Sequence, residues 1–278
     1  MYTKDKKDKE DGILLGAVAY DPKVVTIWEG IREHFREQGV ALDLALYSSY
    51  ERQVEELLAG HIDIAWNTPL AHVRVRRRTG GESRSLGMRD CDRDFRAKVI
   101  ARRDRGVRGL GDLEGKTLAV GSRDSTQARI LPLHFLSKEG VRVDRVRLLP
   151  FDTDLGKHGD TGASEIAVLQ AVQEGRADAG AIGDLIWVTE QAAGHVDMKA
   201  IDLLWTTPPF DHCMFDGHPA LPPAKAEAFT RALFAMRWEN AEHRRLLELE
   251  GLREWLPPRE EGYRSLEEAL AAETRANG

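Results

Sequence analysis

The sequence predicts an α/β protein built from two doubly wound lobes. Apolar segments of strand length alternate with amphipathic segments of helix length, and this alternation restarts in the second half of the chain. One junction occurs in both halves, in residues 57–65 and 172–180. In each, a helix ends at a glycine, and the strand that follows carries an aspartate at its second residue, three positions after the glycine. Repeated βα order favours parallel strands with helices on both faces of each sheet.

Strands and helices alternate three times in the first half. The run ILLGAVAY at 13–20 is continuously apolar, which is typical of a buried parallel strand. The first helix ends at Gly39, and Ser48 with Glu51 forms a capping-box pair at the start of the second. The predicted strands are 13–20, 42–47 and 62–66, and the predicted helices are 23–38, 51–58 and 69–78.

The second half repeats the pattern and ends in helices. The predicted strands are 97–101, 117–120, 146–149, 177–182 and 203–206. The predicted helices are 126–138, 166–173, 184–193, 223–238, 243–250 and 266–272.

An arginine-rich stretch, Arg74–Arg108, admits two interpretations. A nucleic-acid-binding patch is one, and a solvated helix end followed by an exposed strand pair is the other. Acidic residues interrupt the stretch and few aromatic residues are available to stack on bases, so we expect no nucleic-acid partner.

The segment Gly115–Leu136 reads as a strand, a hydroxyl-rich loop and a helix. Pro132 lies inside the helical pattern, so the regular helix is expected to start late or to be kinked there. Free N–H groups and the helix dipole make such a helix start a ready anion site. The alternative is that Ser125 or Thr126 only caps the helix.

Composition limits the functional class. The chain has 278 residues, 42% of them hydrophobic, and a net charge of −6, as expected for a soluble protein. No window approaches the roughly 18–20 apolar residues of a membrane span. Cys91 and Cys213 lack the spacing of a metal site, and we predict no metal or cofactor. Residues 1–11 form a charged tail, predicted to be disordered, with no signal peptide, so a cytoplasmic location and an exported protein with its leader removed both stay open.

Three segments together resemble the phosphate-, phosphite- and phosphonate-binding proteins of ABC transporters. They are YSSYERQVEELLAGHIDIAWNTPLAHV at 47–73, LEGKTLAVGSRDSTQARILP at 113–132 and AVLQAVQEGRADAGAIGDL at 167–185. The resemblance implies a type II periplasmic-binding fold, in which two lobes joined by crossing strands hold a ligand between them. Lobe 1 would comprise 12–100 and 206–278, and lobe 2 would comprise 101–205.

The resemblance also implies ligand contacts. The family's loop tyrosine corresponds to Tyr50, its polar elbow to Asn67-Thr68, and its anion-holding pair to Ser125-Thr126, followed by Gln127. Its acidic residue corresponds to Asp184, and Tyr20 is expected to face the cleft. A small polar or anionic ligand and ABC permease subunits are the implied partners.

The sequence departs from the family at three places. Glu165 stands where family members commonly carry a histidine, so the ligand is expected to present a different group there. The loop 152–164 is long and contains His158. The segment Pro208–Phe215 departs from the usual crossover and places His212 and Cys213 near the hinge.

Two other functions compete with solute binding. One is a cytoplasmic enzyme of lyase, decarboxylase or biosynthetic type that uses Glu165, His158, His212 and Cys213. Adjacent residues of an extended segment point to opposite faces, which argues against a direct pair of His212 and Cys213. The other is a ligand-sensing module, ranked last because the sequence contains no output domain.

Overall fold

The structure is a computed structural model, and it describes residues 12–19, 22–152 and 162–276. The chain forms two compact units, each with a mixed β-sheet flanked by helices. Unit 1 comprises the described part of Met1–Arg93 together with Asp211–Glu261, and unit 2 comprises Asp94–Phe210 and Gly262–Gly278 over the residues described. None of the described helices has the length and apolar character needed to cross a bilayer.

Unit 1 contains a six-stranded sheet in the order β11-β4-β10-β3-β1-β2. Strand β1 pairs in parallel with β2 and β3, whereas β10 runs antiparallel between β3 and β4. Its elements are β1 (Ile13–Val18), α1 (Pro22–Glu37), β2 (Leu42–Tyr47), α2 (Tyr50–Leu58), β3 (Ile64–Asn67), α3 (Pro69–Arg78), β4 (Arg84–Arg89), β10 (Met214–Gly217), α7 (Pro223–Leu233), α8 (Ala241–Glu250) and β11 (Trp255–Leu256).

Aromatic side chains dominate the core of unit 1. The Phe215 ring lies 4.4 Å from the Trp66 ring and 5.1 Å from the Phe229 ring, and the Phe35 ring packs on Phe229 at 5.2 Å. Phe35, Phe215 and Phe229 are fully buried. This cluster holds β10 beside β3 and thereby fixes the position of the carboxyl end of β3.

Unit 2 contains a five-stranded sheet in the order β7-β6-β8-β5-β9. Strands β7, β6 and β8 are parallel, and β5 lies antiparallel to both β8 and β9. Its elements are β5 (Ala97–Arg102), β6 (Thr117–Val120), a π-helical turn (Thr126–Ile130), α4 (Leu131–Lys138), β7 (Arg147–Pro150), α5 (Gly162–Gln173), β8 (Ala179–Gly183), α6 (Asp184–Ala192), β9 (Ile201–Thr206) and α9 (Arg264–Ala276).

The junction repeated in the sequence is one structural unit used twice. In unit 1, Asp63 accepts a hydrogen bond from the Leu14 amide at 2.8 Å, and in unit 2 Asp178 accepts from the Thr117 amide at 2.8 Å. Gly60 and Gly175 have φ values of +73° and +75°, a left-handed conformation that favours glycine. Each aspartate therefore ties the turn after a helix to the start of the neighbouring strand.

The structure differs from the prediction at the edges of the units. Residues 262–278 were expected in lobe 1, but α9 groups with unit 2 because it packs on α4, where Lys138 forms a 2.6 Å ion pair with Glu268. The chain passes between units at 93/94, 210/211 and 261/262 rather than near 100 and 205.

The arginine-rich stretch does not form the expected strand pair. Strand β4 lies inside the sheet of unit 1, with Leu86, Gly87 and Met88 buried, and β5 belongs to the other sheet. The sheets are also mixed rather than wholly parallel, because β10 pairs antiparallel with β3 and β4, β11 pairs antiparallel with β4, and in unit 2 β5 pairs antiparallel with β8 and β9.

Candidate functional site

The predicted ligand contacts fall into two groups, one on each unit. Unit 2 carries Ser125, Thr126, Gln127, Glu165 and Asp184, and unit 1 carries Tyr50, Asn67 and Thr68. Tyr20 and His158 lie outside the described residues.

On unit 2, the loop after β6 presents buried hydroxyl groups to the start of a helix. Ser125 is the N-cap, and its Oγ accepts a hydrogen bond from the Ala128 amide at 3.1 Å. The capping interpretation thus applies to Ser125. Thr126 and Ser122 are at most 1% exposed, and their hydroxyl oxygens have no hydrogen-bond partner among the described residues. These two hydroxyls therefore keep an unused capacity for hydrogen bonds within the described part of the chain.

The helix begins with a π turn, and Pro132 explains why. An α-helix would require the residue 132 nitrogen to donate to the Ala128 carbonyl, but proline has no N–H. The Gly121 amide donates to that carbonyl instead, at 3.0 Å, and the Ile130 amide reaches back to the Ser125 carbonyl at 2.9 Å. The regular helix starts at Leu131, as the late start predicted. Gly121 thus fixes the hydroxyl loop against the helix.

Glu165 links the hydroxyl loop to the end of β8. Its Oε1 accepts from Gln127 Nε2 at 3.0 Å, and its Oε2 accepts from the Gly183 amide. Burial raises the pKa of Glu165, and the two hydrogen bonds only partly oppose that effect. A side chain at position 183 would displace Glu165, since a Cβ there would lie 2.9 Å from Glu165 Oε2. Whether Glu165 also touches the ligand stays a prediction.

Asp184 begins α6 and is neutralised by a lysine that the sequence analysis missed. Lys98 Nζ lies 2.9 Å from Asp184 Oδ1 and also donates to Thr206 Oγ1 at 3.3 Å. The side chain of Lys98 is 13% exposed and that of Asp184 is 32% exposed. Only the antiparallel pairing of β5 with β8 brings them together, so no local pattern could reveal the pair.

On unit 1, the Asn67 amide is used inside the protein. Its Nδ2 donates to Asp216 Oδ2 at 2.8 Å and its Oδ1 accepts from Gln53 Nε2 at 2.9 Å. His72 Nδ1 lies 2.8 Å from the other Asp216 oxygen, and His72, Asn67 and Asp216 are all fully buried. The described interactions use the Asn67 amide within unit 1, and whether Asn67 also contacts the ligand stays a prediction.

Thr68 and Tyr50 are the other two predicted contacts on unit 1. Thr68 is the N-cap of α3, and its side chain makes no capping hydrogen bond. Tyr50 is half-buried at the first position of α2. The N-cap of α2 is Ser49, whose Oγ accepts from the Arg52 amide at 3.3 Å, rather than the predicted Ser48.

His212 and Cys213 do form a direct pair, contrary to the argument from alternating faces. Cys213 Sγ lies 3.1 Å from His212 Nδ1, because residues 211–213 precede β10 and are not extended strand. His212 Nδ1 also lies 3.3 Å from Asp92 Oδ1. The alternation rule does not apply to irregular backbone.

Arg89 holds the carboxylate of this cluster from its other side. Its guanidinium donates to both oxygens of Asp92, at 2.7 and 2.8 Å. Burial disfavours the Asp92 carboxylate, but Arg89 and His212 outweigh it and hold the pKa of Asp92 well below its usual range. Burial raises the pKa of the neighbouring Cys91 thiol to about 12.

Comparison with known proteins agrees with this architecture. Residues 17–263 match the family described as the periplasmic phosphonate substrate-binding protein of ABC transporters. The chain belongs to this family. The resemblance found in the three sequence segments is therefore confirmed, and so is the two-lobed α/β fold.

Individual relatives are distant in sequence. A probable ABC transporter phosphite-binding protein, PhnD1 from Prochlorococcus marinus (strain MIT 9301), is 23% identical over 217 residues, 74% of this chain and 70% of that protein. The structure of PhnD1 from that organism with methylphosphonate is similar with a TM-score of 0.76 at 18% identity, covering 95% and 98% of the two chains. XAC2383 from Xanthomonas citri, bound to ATP, gives 0.72 at 19% identity, covering 96% and 98%.

Family membership identifies the chain as the substrate-binding component of an ABC transporter. It gives no support to the enzyme alternative that used Glu165, His158, His212 and Cys213.

Proposed function

We propose that this protein binds a small phosphonate-class anion for uptake through an ABC permease, and that residues 121–126 form its anion-binding loop. The single observation that carries the proposal is the pair of buried hydroxyls, Ser122 Oγ and Thr126 Oγ1, without a partner among the described residues. A buried hydroxyl left without a partner costs stability, so such groups are normally bonded to something.

The environment of these hydroxyls suits an oxyanion. They lie at the start of a helical segment that continues from Thr126 to Lys138, where N–H groups and the helix dipole favour negative charge. A tetrahedral phosphonate group offers three oxygens that accept hydrogen bonds. The name of the Prochlorococcus relative and the methylphosphonate in its structure support the same ligand class.

The other proposed ligand contacts have support from single structural features. Thr68 has a hydroxyl not used for capping, and Tyr50 is half-buried at the first position of α2, so both are proposed contacts on unit 1. Asp184 remains a candidate on unit 2, with its charge offset by Lys98. Tyr20 is proposed as a ligand contact from the family resemblance alone.

Glu165 bears on the kind of anion that is accepted. A buried carboxylate bonded to Gln127, the residue after Thr126, repels a fully ionised ligand and favours one that brings a proton or an amino group. We therefore propose that a hydrogen phosphonate or an aminophosphonate binds better than a sulfonate, which carries no acidic proton near neutral pH.

The test is calorimetric titration with methylphosphonate, aminomethylphosphonate, phosphite and methanesulfonate. Thr126→Val removes one hydroxyl at nearly constant volume and should weaken phosphonate binding about 10- to 100-fold, the worth of a hydrogen bond to a charged group. Thr189→Val on the exposed face of α6 is the matched control and should bind as the wild type does. Binding of no phosphonate, or unchanged binding in Thr126→Val, would contradict the proposal.

A further inference from the structure

Unit 1 contains a further group of polar side chains, none of which is among the predicted ligand contacts. One ligating atom each from Asp92, His212 and Cys213 lies within 4.8 Å of the other two, and all three residues are buried. The measured separations are 3.1 Å from Cys213 Sγ to His212 Nδ1 and 3.3 Å from His212 Nδ1 to Asp92 Oδ1. Donor atoms around a tetrahedral ion with bonds of about 2.0–2.3 Å lie about 3.3–3.7 Å apart, so an outward shift of a few tenths of an ångström would bring these atoms to that spacing.

A single ring nitrogen makes both of the contacts recorded within this cluster. The same ring nitrogen, Nδ1 of His212, faces both the Asp92 carboxylate and the Cys213 sulfur, and it carries at most one proton. If Nδ1 is protonated, its one proton is shared between two acceptors. If Nδ1 is unprotonated, its lone pair faces a carboxylate oxygen. A cation between the three atoms would be bonded by all of them.

The surrounding charges allow a divalent cation. With Cys213 as a thiolate, three negative groups, Asp92, Cys213 and Glu250, surround one positive group, Arg89. Arg89 contacts Asp92 on one side and Glu250 Oε1 at 3.5 Å on the other. One divalent ion would balance the remaining negative charge, which matters because an unbalanced buried charge is costly. Arg89 would then orient the Asp92 ligand, as outer groups commonly do at metal sites.

We propose that Asp92, His212 and Cys213 form a Zn²⁺ site. Zinc is favoured because a thiolate, an imidazole and a carboxylate are the ligands it takes in proteins, whereas Ca²⁺ and Mg²⁺ require oxygen ligands. Three protein ligands leave a fourth position for water. The ion would join the turn after β4 to the segment before β10, and thereby brace the part of unit 1 where the chain leaves and re-enters it.

The experiment is a titration of the chelator-treated full chain with Co²⁺, which replaces Zn²⁺ and reports its ligands by absorption. The wild type should bind a single ion with a thiolate-to-cobalt charge-transfer band and tetrahedral visible bands, and added Zn²⁺ should abolish both. Cys213→Ser should lose the charge-transfer band and bind at least about 100-fold more weakly, beyond the 10- to 100-fold typical of losing an outer group.

Cys91→Ser is the matched control, because Cys91 is a nearby thiol outside the cluster, and it should retain the full spectrum. Circular dichroism checks the fold of each variant. If Cys213→Ser does not fold, His212→Gln provides a second test, with the charge-transfer band kept and the affinity reduced as above. Absence of a thiolate band in the wild type, or equal binding by Cys213→Ser, would overturn the proposal. Neither result depends on whether the protein binds a phosphonate.

Discussion

Replacing Gly121 by alanine should destabilise the protein and weaken anion binding at the same time. A Cβ at position 121 would lie 2.7 Å from Ala128 Cβ, 3.3 Å from Ser164 Oγ and 3.4 Å from Ser125 Cβ. Real Cβ atoms essentially never approach each other to 2.7 Å, and Ala128 has no flexible side chain that could move aside. The loop or the π turn must therefore shift.

The expected loss of stability in Gly121→Ala follows from overpacking and from the strain on one hydrogen bond. Inserting a methyl group into a packed interior costs about 1–3 kcal/mol, and part of that reflects strain on the bond from the Gly121 amide to the Ala128 carbonyl. For a protein of this size, each kcal/mol lowers the melting temperature by about 2–4 °C. Thermal melting should therefore show a decrease of about 2–12 °C, and calorimetry should show weaker binding of methylphosphonate.

The compensating variant makes this prediction specific. Ala128→Gly removes the methyl group that the new Cβ meets, so the double variant Gly121→Ala/Ala128→Gly should recover part of the stability and of the anion affinity. The recovery cannot be complete, since glycine in a helix costs about 0.5–1 kcal/mol. A Gly121→Ala protein that melts and binds as the wild type does, or a double variant no better than the sum of the single ones, would refute this account of the loop.

Three further predictions concern buried or partly buried ionisable groups. Asp216→Ala removes the hydrogen-bond acceptor of His72 and Asn67 and should lower the free energy of unfolding by about 3–5 kcal/mol in urea titrations. A loss well under 1 kcal/mol would contradict the structural role of the buried network of Asp216, His72 and Asn67. Burial raises the pKa of Glu165, so the contribution of this group to stability is complete below its ordinary pKa of about 4.3 and is lost as pH rises through the higher folded-state pKa. In urea titrations between pH 4 and pH 8, the free energy of unfolding should therefore fall less with pH in Glu165→Gln than in the wild type. An equal fall in both proteins would show that Glu165 is not its source. Lys98→Met should weaken phosphonate binding about fivefold or more, because the Asp184 carboxylate would then repel the anion, and like charges some 4 Å apart repel by at least ~1 kcal/mol. The double variant Lys98→Met/Asp184→Asn should restore binding. A double variant that binds as weakly as Lys98→Met would exclude this repulsion.

Local patterns were sufficient for most of the elements. The bounds of β2 and β6 coincide with their apolar runs, since a buried strand between two turn signals has few alternative lengths. The repeated glycine and aspartate predicted the two equivalent junctions, because a left-handed glycine and a carboxylate that accepts a strand amide are both local requirements. Pro132 likewise predicted the late start of α4.

Features set by distant residues were not predictable in this way. The short strand β10 and the packing of α9 on α4 depend on contacts between segments far apart in sequence. The same holds for the ion pair of Lys98 with Asp184 and for the commitment of Asn67 to Asp216, which lies 149 residues away. His212 and Cys213 were misjudged because the rule of alternating faces assumes a strand, and the backbone there is irregular.

The most direct test of the central claim is a crystal structure of the protein grown with methylphosphonate. We predict that phosphonate oxygens accept hydrogen bonds from the Thr126 and Ser122 hydroxyls at about 2.5–3.0 Å, at the start of the helix that follows β6. A structure with the ligand bound elsewhere, or with both hydroxyls still lacking a partner while methylphosphonate is bound, would contradict the claim.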